Sequence, residues 1–262
     1  MTDTAPPADL ARLNEIAPWL NASGHRGAEP LPVGAVEFSR DVSGPLWRDG
    51  YFALRPHFER TPIDRLARGV EALTRCSHPP VSIFMFDEAW DLVRAVAPIA
   101  RYLLGDTARL LPHLWAWHVG PGGTRSGWPP HCDADGETVL DAGGMEMLMS
   151  LSLWIPLTDA TPENGCMTVL PSGAAPGAGR PLPICLPAPA GSVLGWRQDV
   201  WHWGGTAREV ASGPRLSLAL EFQAGFVDPP LATPLIDPDH PPAPELRRHL
   251  VESQIDKYRH ME

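Results

Sequence analysis

Two short segments of the chain contain side chains that could bind a redox-active metal. The first is the triplet His131-Cys132-Asp133, and the second contains His202. Alternate side chains of an extended segment point the same way, so His131 and Asp133 project to one side. Two imidazoles and one carboxylate on a single triangular face leave other coordination positions open, as in non-haem Fe(II) oxygenases. These residues therefore predict an Fe(II) site with room for further molecules.

The triplet alone is weak evidence, because a chain with 10 His produces such triplets by chance. Apolar and polar residues alternate in two predicted strands, which allows the faces of these strands to be assigned. The apolar positions of the first strand are Met149, Leu151, Leu153 and Ile155. A sheet with helices on one face and a polar cavity on the other requires this partition. We expect Trp154, Arg215 and Ser217 to face such a cavity, although a solvent-exposed polar face would produce the same alternation.

The other predicted elements place helices before a β-rich half. Apolar spacing and cap residues predict helices within 10–20, 62–76, 87–104 and 244–260. Pro98 is expected to kink or split the third of these. Alternation and bounding Gly and Pro residues predict strands at 50–55, 113–119, 147–157, 166–170, 191–196 and 214–222.

Composition limits the class of protein. A length of 262 residues fits one large domain, and a formal net charge of -10 argues against binding to a nucleic-acid backbone. No apolar run of about 18 residues predicts a membrane span, and the N-terminus lacks the pattern of a signal peptide. Four widely spaced Cys residues predict reduced thiols. We expect a cytoplasmic protein, and the many Pro, Gly and Arg residues hint at a bacterial source.

Several motifs occur together in a consistent order. They are His131-Cys132-Asp133, the segment 154–166, Val169-Leu170-Pro171, Gly191-Ser192-Val193, His202 and Arg215. This combination resembles the phytanoyl-CoA dioxygenase family of Fe(II)- and 2-oxoglutarate-dependent oxygenases, over about residues 45–224. The resemblance implies a mainly β fold with flanking helices: a double-stranded β-helix (jelly roll) with helices packed on the major sheet. We expect a peripheral helix and loop at 1–44 and a single oxygenase domain at 45–262.

The resemblance also implies roles for individual residues. His131, Asp133 and His202 would be the iron ligands. Arg215 would clamp the distal carboxylate of 2-oxoglutarate, because a planar guanidinium can donate two parallel hydrogen bonds to it. The residues that could assist in binding this cosubstrate are Ser217, Trp154 and, more weakly, His118.

A Gly-rich loop at 120–127 precedes the metal-binding triplet and is expected to fold over the iron. This position makes Trp117, Arg125 and Trp128 the candidate substrate contacts. Arg125 would pair with an anionic substrate group, or would simply be a solvated loop arginine. The chain departs from the family pattern after Pro171, where a histidine common in relatives is absent. The Asp133 carboxylate is retained, which disfavours halogenation, since related halogenases replace it with a small residue.

The implied activity is oxidation by O2, most simply hydroxylation, of a small organic molecule with release of succinate and CO2. Two other classes remain open. A non-oxidative, cupin-like metal enzyme could use the same three ligands, but it would not need Arg215 as a carboxylate clamp. A catalytically silent jelly-roll binding module would not need an intact ligand set.

Overall fold

The computed structural model describes residues 10–23, 31–122, 128–172, 181–229 and 235–258. The helices are α1 (Leu10–Ile16), α2 (Gly44–Asp49), α3 (Arg60–Arg75), α4 (Asp87–Leu104) and α5 (Pro244–Tyr258). The strands are β1 (Tyr51–Leu54), β2 (Arg109–Val119), β3 (Val139–Asp141), β4 (Glu146–Leu148), β5 (Ser150–Pro156), β6 (Met167–Val169), β7 (Ile184–Leu186), β8 (Val193–Arg197), β9 (His202–Gly204) and β10 (Arg215–Gln223). No helix among the described residues combines the length and apolarity needed to cross a bilayer.

Two antiparallel sheets form the body of the fold. The larger sheet has five strands in the order β1-β8-β5-β10-β2, and the smaller has three in the order β7-β6-β9. Strands β3 and β4 form a separate hairpin. Neighbouring strands are mostly distant in sequence, so the chain passes repeatedly between the two sheets. This confirms the predicted double-stranded β-helix with helices on the major sheet.

The two faces of the large sheet have different partners. Leu151, Leu153 and Ile155 of β5 are fully buried in one core with the apolar side chains of α3 and α4. Trp154 and Leu194 lie on the opposite face, in a second cluster with residues of the small sheet. The alternation in β5 and β10 thus separates a helix-facing side from a side that faces the small sheet.

Some local predictions differ from the structure. Helix α4 is continuous through Pro98, so it is not split there. The strand predicted at 147–157 is interrupted at Met149, whose N–H donates to the carbonyl of Thr138. At the N-terminus, Leu13 of α1 is completely buried in the main core.

A buried arginine attaches the C-terminal helix to the rest of the domain. Arg247 of α5 is 0% exposed, and its Nη1 donates to Asp87 Oδ1 at 2.6 Å. Its Nε donates to the carbonyl of Pro242 at 2.8 Å. Farther along α5, Gln254 Nε2 donates to the carbonyl of Pro112 in β2 at 2.8 Å. These bonds hold the end of α5, including Tyr258, against the large sheet.

Replacing Arg247 with Leu is expected to lower the free energy of unfolding by about 3–5 kcal/mol, because the buried Asp87 carboxylate loses its charged partner. Chemical denaturation followed by circular dichroism measures this loss. Arg248→Leu is the matched control, since Arg248 is exposed on the same helix and its replacement should change stability by about 0.5 kcal/mol or less. Equal effects of the two substitutions would contradict the anchoring role of Arg247.

Candidate metal centre and its cavity

A pair of backbone hydrogen bonds brings the two predicted histidine ligands together. The N–H of His131 donates to the carbonyl of His202 at 3.1 Å, and the N–H of His202 donates back at 2.9 Å. Their ring centroids lie 4.3 Å apart. Asp133 Oδ1 is 3.4 Å from His131 Nε2 and 3.5 Å from His202 Nε2. The three ligand atoms all lie within 4.8 Å of one another, so the predicted set converges on one point.

Each imidazole is oriented through its other nitrogen. His131 Nδ1 lies 2.7 Å from the carbonyl of Pro129, and His202 Nδ1 lies 3.0 Å from the carbonyl of Val200. A carbonyl oxygen only accepts hydrogen bonds, so each Nδ1 carries a proton, and in the neutral imidazole Nε2 then presents its lone pair. This is the tautomer that a metal requires, and the second hydrogen bond fixes the ring orientation.

The carboxylate of Asp133 is held on its outer side. Its Oδ2 accepts hydrogen bonds from Ser152 Oγ at 2.6 Å and Trp196 Nε1 at 3.1 Å, which leaves Oδ1 facing the two imidazoles. Burial alone would raise the pKa of Asp133, but the neighbouring His131, His202, Ser152 and Trp196 lower it to about 2. The side chain is therefore an anion at neutral pH.

The donor set fits a divalent transition metal. His131 Nε2 is buried and has no hydrogen-bond partner among the described residues, as expected of an atom reserved for a ligand. Burial also lowers the pKa of His202, against an opposing effect of Asp133, which favours the neutral imidazole that binds metals. Two imidazoles and one carboxylate form the facial set typical of non-haem Fe(II) sites.

A second polar group lies deeper in the same cavity. Arg215 of β10 is 1% exposed, and burial lowers its pKa to about 10, so it remains charged at neutral pH. Its Cζ lies 5.9 Å from the ring of Trp154, and its Nη1 contacts Met167 Sδ at 3.6 Å. Ser217 Oγ and Trp154 Nε1 are buried without a hydrogen-bond partner in the described part of the chain. These groups fit an anionic, oxygen-rich ligand.

The metal ligands and Arg215 line one cavity of about 600 Å³, including its open mouth. Its remaining walls come from both sheets, from α5 and from Trp128 in the segment before His131. They are formed by His113, Leu114, Trp115, Trp117, Trp128, Ser152, Leu153, Trp154, Met167, Trp196, Gly204, Ala219, Leu220, Glu221 and Tyr258.

The remaining predicted site residues have different locations. Trp117 and Trp128 line the cavity as expected, whereas Arg125 lies outside the described residues. Ser217 is on the cavity face of β10 but is completely buried beneath the cavity surface. His118 differs from its predicted role: it pairs with Leu216, whose side chain packs in the helix-facing core, and it does not line the cavity.

Glu221, Ser152 and Tyr258 are among the residues that orient or line the site but were not predicted as site residues. Glu221 lies six positions after Arg215 on the same strand, so the period-two alternation alone could have identified it. Ser152 was assigned to the correct face, but its bond to Asp133 depends on tertiary structure. Tyr258 reaches the cavity from the C-terminal helix, and no local pattern signals this contact.

The sequence matches a known protein family, and the structure is similar in fold to several solved structures. Residues 46–209 match the family model described as Phytanoyl-CoA dioxygenase (PhyH). No curated protein matches the sequence. Among solved structures, the epimerase SnoN from nogalamycin biosynthesis is 19% identical, with a TM-score of 0.56, over 74% of this chain and 87% of that one.

Two further structures share the fold. A nickel complex of the non-haem monooxygenase ThoJ is 15% identical, with a TM-score of 0.62, over 84% of this chain and 99% of that one. HygX from Streptomyces hygroscopicus, with nickel and 2-oxoglutarate bound, is 15% identical, with a TM-score of 0.55, over 75% of this chain and 90% of that one.

Replacing Ser152 with Ala is expected to weaken metal binding by about 10–100-fold, because Asp133 loses the hydrogen bond that orients its carboxylate. Calorimetric titration of the metal-free protein with nickel(II) measures the affinity. Ser150→Ala, two residues away on the same strand, should bind nickel like the unmodified protein. Unchanged nickel affinity in Ser152→Ala would show that this bond does not support the site.

Proposed function

The chain belongs to the phytanoyl-CoA dioxygenase family, and we propose that it is an Fe(II)- and 2-oxoglutarate-dependent dioxygenase that hydroxylates a small organic molecule. One observation carries the proposal: the His131, Asp133 and His202 ligand atoms and the buried Arg215 guanidinium open onto the same cavity. Structures of similar fold support the choice of cosubstrate, since SnoN was solved with Fe3+ and alpha ketoglutarate and HygX with nickel and 2-oxoglutarate.

His131 and His202 would hold the metal through Nε2, and Asp133 would hold it through Oδ1. When bound, Fe(II) would supply the activation of O2, which is the oxidant, and 2-oxoglutarate would supply two of the four electrons that O2 accepts through its conversion to succinate and CO2; the substrate would supply the other two. The protein contributes the facial geometry, which keeps one side of the metal open towards the cavity.

Arg215 would orient 2-oxoglutarate through its distal carboxylate. A guanidinium can donate two parallel hydrogen bonds to a carboxylate, and its burial excludes competing water. Ser217 Oγ and Trp154 Nε1 are further donors near this position that lack hydrogen-bond partners among the described residues. The tightly packed side chains around Trp154 and Trp196 would exclude water, which protects a reactive site from side reactions.

The similar structures also include a carbocyclase, SnoK, besides the epimerase SnoN. The same site could therefore support outcomes other than hydroxylation, and product mass distinguishes them. A gain of one oxygen atom supports hydroxylation. A loss of two hydrogens indicates ring closure or desaturation, and an unchanged mass indicates epimerisation.

Anaerobic addition of Fe(II) and 2-oxoglutarate should produce a visible metal-to-ligand charge-transfer band. His202→Ala should abolish both the band and substrate-dependent succinate release, because the facial set loses one of its three ligands. Absorption spectroscopy under anaerobic conditions measures the charge-transfer band, and quantification of succinate measures the substrate-dependent turnover. Absence of a band in the unmodified protein would favour a non-oxidative metal enzyme or a silent binding module.

Arg215→Leu should raise the 2-oxoglutarate concentration needed for half-maximal band intensity by about tenfold to a hundredfold, since a charged hydrogen-bonding partner of the carboxylate is lost. The affinity for nickel(II) alone should be unchanged, because Arg215 is not a metal ligand. Arg208→Leu removes an exposed arginine and is the matched control, expected to titrate like the unmodified protein. A normal 2-oxoglutarate titration of Arg215→Leu would refute the clamp.

A further inference from the structure

Four aromatic side chains form a closed series of ring contacts beside the metal ligands. The centroid of Trp115 lies 6.0 Å from Trp117, and that of Trp117 lies 5.6 Å from Trp128. The series continues from Trp128 to Tyr258 at 4.8 Å and returns from Tyr258 to Trp115 at 4.7 Å. Trp128 also contacts the ligand His131 at 5.1 Å between ring centroids. We refer to Trp115, Trp117, Trp128 and Tyr258 as the aromatic cluster.

The aromatic cluster presents ring surface to the cavity, although Trp115 also packs against the main core. All four side chains are only partly buried, and all four line the cavity that contains the metal ligands. They come from three separate segments: β2, the turn before His131, and the end of α5. The tertiary structure thus assembles an aromatic wall next to the reactive position.

A carboxylate lies in the same part of the cavity. Glu221 is the one acidic residue besides Asp133 among the described residues that line it. Its Oε2 is fixed by His113 Nδ1 at 3.2 Å and Gln198 Nε2 at 3.1 Å. In the sheet, Glu221 pairs with Ser152, the residue that donates to Asp133, so the carboxylate lies near the metal centre.

The other charges of the cavity already have assigned partners under the proposed function. Asp133 would bind the metal, and Arg215 would bind the cosubstrate carboxylate. Glu221 contacts His113, which forms an ion pair with it only when protonated, and no ligand is assigned to this carboxylate. Glu221 lines the same cavity as the aromatic rings, whose faces are electron-rich, and its charge acts on Tyr258. Cations bind favourably to the faces of Trp and Tyr rings, and cages of such rings are a known means of binding alkylated ammonium groups.

We propose that the substrate carries a positively charged amine or alkylammonium group, held between the aromatic cluster and the Glu221 carboxylate. This inference rests on the proposed function for the meaning of "substrate" but not for the cation site itself. Burial, together with the charges of Glu221 and Asp133, raises the pKa of Tyr258, so this ring stays uncharged and contributes no competing anion. The Tyr258 ring already accepts a cation, since Lys257 Nζ lies 5.0 Å from its centroid.

Choline and 3,3-dimethylbutan-1-ol are suitable probes, because they have the same shape and differ in one atom, a quaternary nitrogen against a quaternary carbon. Binding is followed by tryptophan fluorescence at about pH 8, where imidazoles are generally neutral. Titrations use the full chain loaded with nickel(II) and 2-oxoglutarate, and are repeated without them. We expect choline to bind and the neutral alcohol to bind at least about tenfold more weakly.

Glu221→Gln should weaken choline binding by at least about tenfold, because the charged partner is lost while the side-chain shape is retained. Gln198 Nε2 also donates to Ser152 Oγ at 3.3 Å, so hydrogen bonds connect Glu221 to Asp133 through Gln198 and Ser152. Binding of the neutral alcohol and of nickel(II) should not change in Glu221→Gln, which separates the cation-binding role from an effect through these bonds. Glu245→Gln, an exposed position on α5, is the control for net charge. Tyr258→Phe should retain choline binding, whereas Tyr258→Leu should weaken it several-fold, because only the first keeps an aromatic ring.

Equal binding of the two probes would overturn the proposal and indicate a cavity for neutral aromatic or apolar substrates. An equal loss of both probes in Glu221→Gln would overturn it as well. Circular dichroism of each variant shows whether it is folded. The test of the cation site is independent of the oxygenase assignment. Choline binding without a charge-transfer band would support the cation site and reject the proposed function. A charge-transfer band without choline binding would support the proposed function and reject the cation site.

Discussion

The site depends on the backbone pairing of His131 with His202. This short bridge joins the segment after the Gly-rich loop to strand β9 and places two imidazoles 4.3 Å apart between their centroids. A buried carboxylate next to them is tolerated only because its outer oxygen accepts two hydrogen bonds and its inner oxygen faces the imidazoles. The same bonds that offset the cost of burial also aim Oδ1 at the metal position, so stability and ligand orientation have one cause.

Strand β10 organises the cavity along its length. Its helix-facing residues are completely buried, which fixes the register, because a slip of one residue would turn that apolar set towards the cavity. The opposite face carries Arg215 at one end and Glu221 near the other, about 20 Å apart along the strand. Ala219 lies between them and leaves space, while Trp154 and Ser152 of β5 lie alongside. A single strand thus separates an anion-binding end from an acidic end.

The C-terminal helix α5, which is far from the metal ligands in the sequence, completes the wall of this cavity with Tyr258. Its attachment relies on the buried Arg247 and its bonds to Asp87 and to the carbonyls of Met85 and Pro242. Breaking such an ion pair leaves an uncompensated buried charge, so the helix position is strongly determined. Tyr258, at the other end of the helix, then contacts Trp115 and Trp128. The shape of the cavity is therefore coupled to the packing of an element remote from the metal ligands.

The sequence alone determined the ligand triplet, the second histidine, the arginine and the two faces of β5 and β10, because these follow from residue chemistry and a period of two. The same period places Trp117 and His118 on opposite faces of one strand, and in the structure Trp117 lines the cavity. Only the tertiary structure decided that Glu221 and Tyr258 meet the aromatic rings and that Ser152 and Trp196 orient Asp133. Those contacts join segments far apart in the chain, and their geometry depends on sheet register and helix packing, which local patterns do not encode.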